Sequence, residues 1–350
     1  MKISRKWRRA WSRGKPSFIK AAALARVHKK KQHQRNKKII TKSRPSIIPK
    51  ILRPAAVAAG LALTIMTSNP AVHAMPADGK VVAGQGSIAQ NGSNMTITQT
   101  TDKMALNWQS FSIAQNEKVQ FLQPGVSSMA LNRVIGNNAS QIYGQLSANG
   151  KVFLVNTNGI LFSPTARVDT GSLLASTLNI ADNDFMAGSY KFAKGSTTGS
   201  VINQGNITAA DGGFVALLGE KAINEGVIVA NKGSVVLAAG EQATLDMKGD
   251  GLISLAVTQA SLNAQVENKK MIQADGGMVV MTARAASDLA GTVVNNSGVV
   301  RAQTIGERNG KIMLSGDTVV NTGTITAQSS GSFGGGIEIN ASYLLNGGKV

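Results

Sequence analysis

The chain has 350 residues, no cysteine and a formal net charge of +19. All of that excess lies in residues 1–53, which carry 19 Lys or Arg and no Asp or Glu, while the rest of the chain holds 18 residues of each sign. A body that is basic throughout, of the histone or ribosomal kind, is excluded, and so are a disulfide framework, a thiolate metal site and a cysteine nucleophile.

The basic stretch 1–53 runs into an apolar segment at 55–66, AAVAAGLALTIM. Polar breakers follow at Thr67, Ser68, Asn69 and Pro70, then Ala71-Val72-His73-Ala74. This is the order of a secretory signal: a basic n-region, an apolar h-region and a small-residue cleavage site. Val72 and Ala74 fill the small-residue positions, which predicts cleavage between Ala74 and Met75. The apolar segment spans only about 18 Å as a helix, against roughly 30 Å for a membrane core. Trp7 and Trp11 among the arginines also suit a tail that binds nucleic acid or anionic lipid. That alternative leaves the apolar segment and the cleavage site unexplained, so the mature form is expected to bind no nucleic acid. Removal of residues 1–74 also removes His28, His33 and His73, the only histidines. Ser-His-Asp catalysis, His-ligated zinc and an imidazole base are then excluded. The expectation is a chain without catalytic, metal or cofactor-binding residues.

Residues 75–200 read as strands with polar turns, among them Lys118–Leu122, Lys151–Val155 and Ile160–Phe162. Trp108, Phe111, Phe121, Phe153 and Phe162 concentrate the aromatic content here. Gly84-Gln85-Gly86-Ser87-Ile88-Ala89 matches a dinucleotide fingerprint, but strand-like Met95-Thr96-Ile97-Thr98 stands where a helix is required. Asp182 and Asp184, the tightest acidic pair, are read as part of an Asn-rich turn. Asp246 and Asp250-Gly251 resemble part of a calcium loop, yet the twelfth position is Val257 rather than Glu, which favours a solvated turn. Asn-x-Ser/Thr triplets occur at Asn91, Asn94, Asn138, Asn206 and Asn340.

From about residue 201 an internal repeat appears: a strand ending in Asn-x-Gly, a short strand, a glycine pair, then an apolar strand. VINQGNITAADGGFVALLGE and AINEGVIVANKGSVVLAAGE place Asn203 and Asn224 in matching positions, and Asn296 and Asn321 recur later. No proline follows Pro164. Short strands, glycine turns, an uninterrupted ladder and units of 20–30 residues predict a solenoid, and a parallel β-helix fits best. Inward Val, Ile and Leu stack about 4.8 Å apart, and a turn Asn can ladder with the Asn one coil away. At about 22 residues per coil, some twelve coils are expected. The open end of such a helix exposes core and unpaired backbone, so a distinct capping segment is expected in residues 75–200. Tyr343-Leu344-Leu345-Asn346-Gly347-Gly348 falls inside a repeat, which predicts continuation in a longer protein.

VVAGQGSIAQ at 81–90, MALNWQSFSIAQNEKVQFLQP at 104–124, LNRVIGNNASQIYGQLSANGKVFLVNTNGILF at 131–162 and LLASTLNI at 173–180 carry a resemblance. In that order they resemble the N-terminal secretion domain of two-partner secretion exoproteins, the filamentous haemagglutinins and high-molecular-weight adhesins. The family hallmark Asn-Pro-Asn-Gly stands here as Asn156-Thr157-Asn158-Gly159, with Thr157 in place of Pro. These four residues are the candidate secretion motif. The resemblance implies an all-β, right-handed parallel β-helix with an N-terminal β-cap. It also implies export by the Sec machinery, then passage through an outer-membrane β-barrel transporter whose periplasmic domains bind the unfolded chain. A long signal extension is typical of the family.

The expected organisation is an extended signal peptide at 1–74, a capping and secretion domain at 75–200, and β-helix repeats at 201–350. The expected function is a secreted or surface-exposed, adhesin-like exoprotein of a Gram-negative bacterium, non-enzymatic, with a host-cell, matrix or polysaccharide ligand. A polysaccharide-active enzyme on a β-helix is the alternative outside the family. Haemolysin, haem-acquisition exoprotein and contact-dependent inhibition toxin are the alternatives within it.

Overall fold

The computed structural model describes residues 75–197, 199–247, 252–284, 293–305, 308–329 and 334–350. The n-region, the h-region, Ala74 and the Asp250-Gly251 half of the calcium-loop candidate lie outside the described residues.

The described chain winds as a parallel β-helix with three faces. The broad face stacks Lys103–Trp108, Met129–Val134, Lys151–Val155, Ser172–Ser176, Phe214–Gly219, Ser234–Ala239 and Met278–Ala283, each parallel to the next. A second face runs in the same way from Asn94–Gln99 to Thr324–Thr326. The third begins at Ser140–Ile142 and Ile160–Phe162 and continues through Ser200–Asn203, Lys221–Asn224, Gln265–Asn268 and Val293–Asn296. The long strand Lys311–Asn321 turns the corner between the broad and third faces, since it pairs with both Met278–Ala283 and Val293–Asn296. Gly336–Asn346 follows it in register. Lys118–Leu122, Lys151–Val155 and Ile160–Phe162 are strands with the expected limits.

Register lines up equivalent side chains into columns. Met104, Ala130, Val152, Leu173, Val215, Val235, Val279 and Ile312 succeed one another down the inside of the broad face, all fully buried. Stacking like on like every coil is what a parallel ladder with constant inward parity imposes. Coils also approach so closely at one corner that only glycine fits. A Cβ on Gly233 would lie 1.7 Å from the Gly213 carbonyl oxygen, and one on Gly277 would lie 2.0 Å from that of Gly233. The repeated glycine before the broad-face strands from Lys151 to Lys311 has this origin.

At the N-terminus the helix is closed by antiparallel pairing. Lys80–Ala83 runs against Lys103–Trp108, and Gly86–Asn91 forms a hairpin with Asn94–Gln99. Two of the three free edges are thereby covered. The dinucleotide-like Gly84–Ala89 stretch lies in this hairpin and leads into no helix.

The broad face is apolar on both sides. Phe214, Ala216 and Leu218 point outward, opposite to inward Val215 and Leu217, and all are buried. Their cover is a four-stranded antiparallel sheet outside the helix: Leu178–Asn179, Tyr190–Lys194, Gln242–Asp246 and Ser254–Gln259. Strands buried on both faces read as continuous apolar runs, which accounts for FVALLG and SVVLAA.

Two expectations are corrected. Asp182 and Asp184 lie in the helix Asp182–Ala187, not in a turn. Its two acids sit at the positive end of the helix dipole, and Gly188 (φ 81°) ends it in the left-handed region. At six residues it is too short to leave a periodic signature. The broad face has nine stacked positions among the described residues, from Lys103 to Gly336, instead of some twelve coils. Coil length is not constant: the aligned asparagines are separated by 21, 44, 28, 25 and 25 residues. The longest interval contains two strands of the outer sheet.

Candidate functional site

Asn156-Thr157-Asn158-Gly159 forms the corner between Lys151–Val155 on the broad face and Ile160–Phe162 on the third. The Gly159 N–H donates to the Asn156 carbonyl at 3.1 Å, closing a four-residue turn. The Asn158 N–H donates to Asn156 Oδ1 at 3.0 Å, an Asx turn inside the first. Thr157 occupies the second turn position, where proline is favoured but not required. Gly159 has φ 122°, a conformation open to glycine and costly to others.

The two asparagines tie this corner to the coil before it. Asn156, fully buried, donates from Nδ2 to the Asn138 carbonyl and to Ser140 Oγ, both at 3.0 Å. Asn158 Nδ2 donates to the Gly136 carbonyl at 2.8 Å. The coil after it closes in from the other side: Thr197 Oγ1 donates to the Thr157 carbonyl at 2.6 Å, and a Cβ on Gly199 would lie 2.5 Å from the Gly159 nitrogen. Three successive corners are thus hydrogen-bonded through this one. Met75, the other described candidate, is 9% exposed and packs into the interior cluster with Trp108 and Phe111.

Other polar residues of the same region were not legible in advance. Asn132 points into the core, fully buried, and its Oδ1 accepts the Trp108 indole N–H at 3.0 Å. The Arg133 guanidinium binds Asn107 Oδ1 (3.3 Å), Asn179 Oδ1 (3.0 Å), the Ile180 carbonyl and the Asp182 carboxylate. Lys103 Nζ donates to the Phe185 and Met186 carbonyls at 3.1 and 3.0 Å, at the negative end of the short helix. Burial holds the Lys103 ammonium below its ordinary pKa and pushes the Tyr190 phenol above its own. Each group acts on a segment far along the chain, so no local motif announces it.

The expected asparagine ladder is present on the third face. Asn203, Asn224, Asn268, Asn296 and Asn321 are fully buried, and each Nδ2 donates to the Oδ1 of the next, ending on Asn346, at 2.7–2.8 Å. The following glycine is needed for close approach, since a Cβ on Gly226 would lie 2.1 Å from the Gly205 carbonyl. Asn268 carries no Asn-x-Gly mark, because Lys270 replaces that glycine, and a long interval precedes it. Five Asn-x-Ser/Thr asparagines are different: Asn91, Asn94, Asn138, Asn206 and Asn340 are exposed, while Asn295 of the further triplet Asn295-Asn296-Ser297 is half-buried. Asp246 ends an outer-sheet strand. Among the described residues, no group of three or more Asp or Glu converges as a cation site.

A capped parallel β-helix, with an Asn-rich corner and a sheet laid over its broad face, defines the class of exoprotein secretion domains. Residues 73–328 match the TPS secretion domain, and the chain belongs to this family. Such domains are recognised by an outer-membrane transporter partner, and the exoproteins that carry them are secreted from Gram-negative bacteria. The structure is similar to the HMW1 secretion domain from Haemophilus influenzae, with a TM-score of 0.64 and 29% identity over 78% of this chain and 82% of that one. It shares its fold with a filamentous hemagglutinin secretion domain, at a TM-score of 0.51 and 14% identity, covering 79% and 96% of the two chains. In sequence it is 39% identical over 250 residues to a heme/hemopexin-binding protein of Haemophilus influenzae, and 36% identical over 264 residues to a second protein so named. The chain spans 27% and 28% of the length of these two relatives, which cover 69% of it.

Proposed function

We propose that residues 75–350 work as the secretion and folding module of a non-enzymatic, surface or extracellular exoprotein. The match of residues 73–328 to the TPS secretion domain carries this reading. Residues 1–74 take the chain across the inner membrane by the Sec machinery and are cleaved between Ala74 and Met75. Periplasmic domains of the outer-membrane transporter then receive the unfolded chain, with the main determinants in residues 75–200 and the Asn156–Gly159 turn among them. The repeats from residue 201 extend the helix. An adhesin-like role towards a host-cell, matrix or polysaccharide ligand is part of this reading, supported by the resemblance of the blocks at 81–180 to adhesin secretion domains. Haem acquisition is the second reading, supported by 39% identity to a heme/hemopexin-binding protein.

Deleting the cognate transporter is the direct test: the chain should disappear from the medium and surface, and undiminished export would reject the reading. Replacing Asn156 and Asn158 by Ala together should trap the chain in the periplasm, whereas Thr157→Pro, which suits the second turn position, should leave export intact. Normal export of the double variant would remove the motif from the mechanism. Haem binding by the exported protein, measured by absorbance titration, separates the second reading from the first.

A further inference from the structure

Two coils throw excursions out of the β-helix. One leaves after Ser176, forms the helix Asp182–Ala187 and the strand Tyr190–Lys194, and returns at Ser200. The other leaves after Ala239 and forms Gln242–Asp246 and Ser254–Gln259. They come from coils that are not adjacent, yet they zip together. Tyr190 pairs with Leu245 and Ala193 with Gln242, and Lys194 Nζ meets Glu241 at 2.8 Å.

The first excursion is also anchored to the earliest coils. Lys103, on the first broad-face strand, holds the end of the short helix 82 residues away. Arg133, on the second, holds Asn179 and Asp182, 46 and 49 residues away. Under this cover lies Phe153, whose ring is 5.6 Å from Phe185, 5.8 Å from Tyr190 and 6.4 Å from Phe214.

In a plain solenoid each coil touches only its neighbours, and stability is a sum of repeat and nearest-neighbour contributions. The outer sheet breaks that rule. The geometry points to a clasp: it makes the coils from Lys103 to Ala239 one cooperative unit, completed when Gln242–Asp246 docks on Tyr190–Lys194. Coils from Gln265 onward contribute no strand to the clasp and meet it only at its margin, through Met278, Val280, Met313 and the Arg284 bond to the Val257 carbonyl, and they behave as ordinary repeats. Until residues 242–246 arrive, one edge of Tyr190–Lys194 has no partner strand and the outward side of Phe214–Gly219 and Ser234–Ala239 lacks part of its cover. Closing the clasp therefore commits about half of the mature chain at a single step.

Hydrogen exchange read by mass spectrometry on the folded full chain tests this, and its outcome does not depend on how the protein is exported. Thr244→Pro puts a residue without an N–H into Gln242–Asp246, an inner strand of the outer sheet. It should speed exchange at least tenfold in Tyr190–Lys194 and also in Met129–Val134, several coils away. Val300→Ala, a buried interior change outside the clasp, should affect only adjacent coils. Unchanged exchange in Met129–Val134 of the Thr244→Pro chain would overturn the clasp, as would equal loosening there by Val300→Ala. If Thr244→Pro abolishes protection throughout, Arg133→Gln and Lys103→Met give the decision from the other side. Each should speed exchange in Gln242–Asp246, more than 100 residues downstream, and no change there would overturn the proposal.

Discussion

The coils before and after residue 200 stack the same third-face position with different chemistry. Ile142 and Phe162 fill it first, and Asn203 follows in direct register. From there to Asn346 every coil supplies asparagine. The early coils gain stability from apolar burial on both sides of the broad face, with Phe153 at the centre of the outer cluster. The coils after residue 200 carry a buried amide at each turn, and those beyond Ala239 are also less covered outside. An apolar stack tolerates small slips, whereas a buried amide that misses its partner costs about 1–3 kcal/mol. Burial thus holds the first region together, and polar matching sets the register of the second.

The largest effect should come from the first region. Phe153→Ala empties a site lined by four aromatic rings and should cost about 3–5 kcal/mol in urea unfolding. A loss below about 1 kcal/mol would show that the outer cover contributes little, and the contrast between regions would collapse. Asn268→Ala comes next. It removes the side-chain acceptor of the Asn224 amide, which keeps the Gly226 and Met271 carbonyls, and takes the Asn268 donor from Asn296 Oδ1, and should cost about 1–3 kcal/mol. Asn268→Asp should retain an acceptor for Asn224 but lose the donor to Asn296. If all three proteins unfold at the same urea concentration, the ladder is not what fixes register.

The smallest effect is at the surface of the later coils. Hydrogen bonds from Gln204 and then Lys269 hold the Glu225 carboxyl below its ordinary range. Hydrogen bonds to Glu267 and then Glu225 raise the Lys269 ammonium. The glutamate contribution is present above its unfolded pKa and fades as pH falls through the lowered folded value. The lysine contribution is present below its unfolded pKa and fades as pH rises through the raised one. Stability from this trio should therefore plateau between about pH 5 and 10. Exposure keeps it under about 1 kcal/mol. Lys269→Met should lower a Tm-against-pH series across the middle of the plateau, by no more than this small contribution, and leave its acid and alkaline ends nearly unchanged. A larger loss at neutral pH than Asn268→Ala would invert the ranking of buried amide over exposed charge.

Much of the later region was legible because its restraints are local and repeated. Asn203, Asn224, Asn296 and Asn321 each stand two residues before a glycine, since one turn needs both the buried amide and the missing Cβ. The candidate turn at Asn156–Gly159 was legible as a turn for the same reason. Its links to Asn138, Ser140 and Thr197 were not, because those partners arrive from neighbouring coils. Asn268 was hidden by Lys270 and by the inserted strands before it. The short helix resembles a turn in sequence because six residues carry no periodicity, and it is held by Lys103 and Arg133 from afar.

Residue by residue, the sequence determined the strand-and-turn alternation, the inward parity of each strand, the glycine corners and most of the ladder. These depend on φ, ψ, side-chain size and a period of two, which neighbours along the chain dictate. The family was also written there, in ordered blocks from residue 81 to 180. Only the tertiary structure decided that FVALLG and SVVLAA are buried on both sides, which coils carry the outer sheet, and that segments about 50 residues apart close over Phe153. Those are choices of which apolar surfaces meet, and burial is non-directional: it rewards any contact that removes area from water and leaves no mark of its partner in either segment alone.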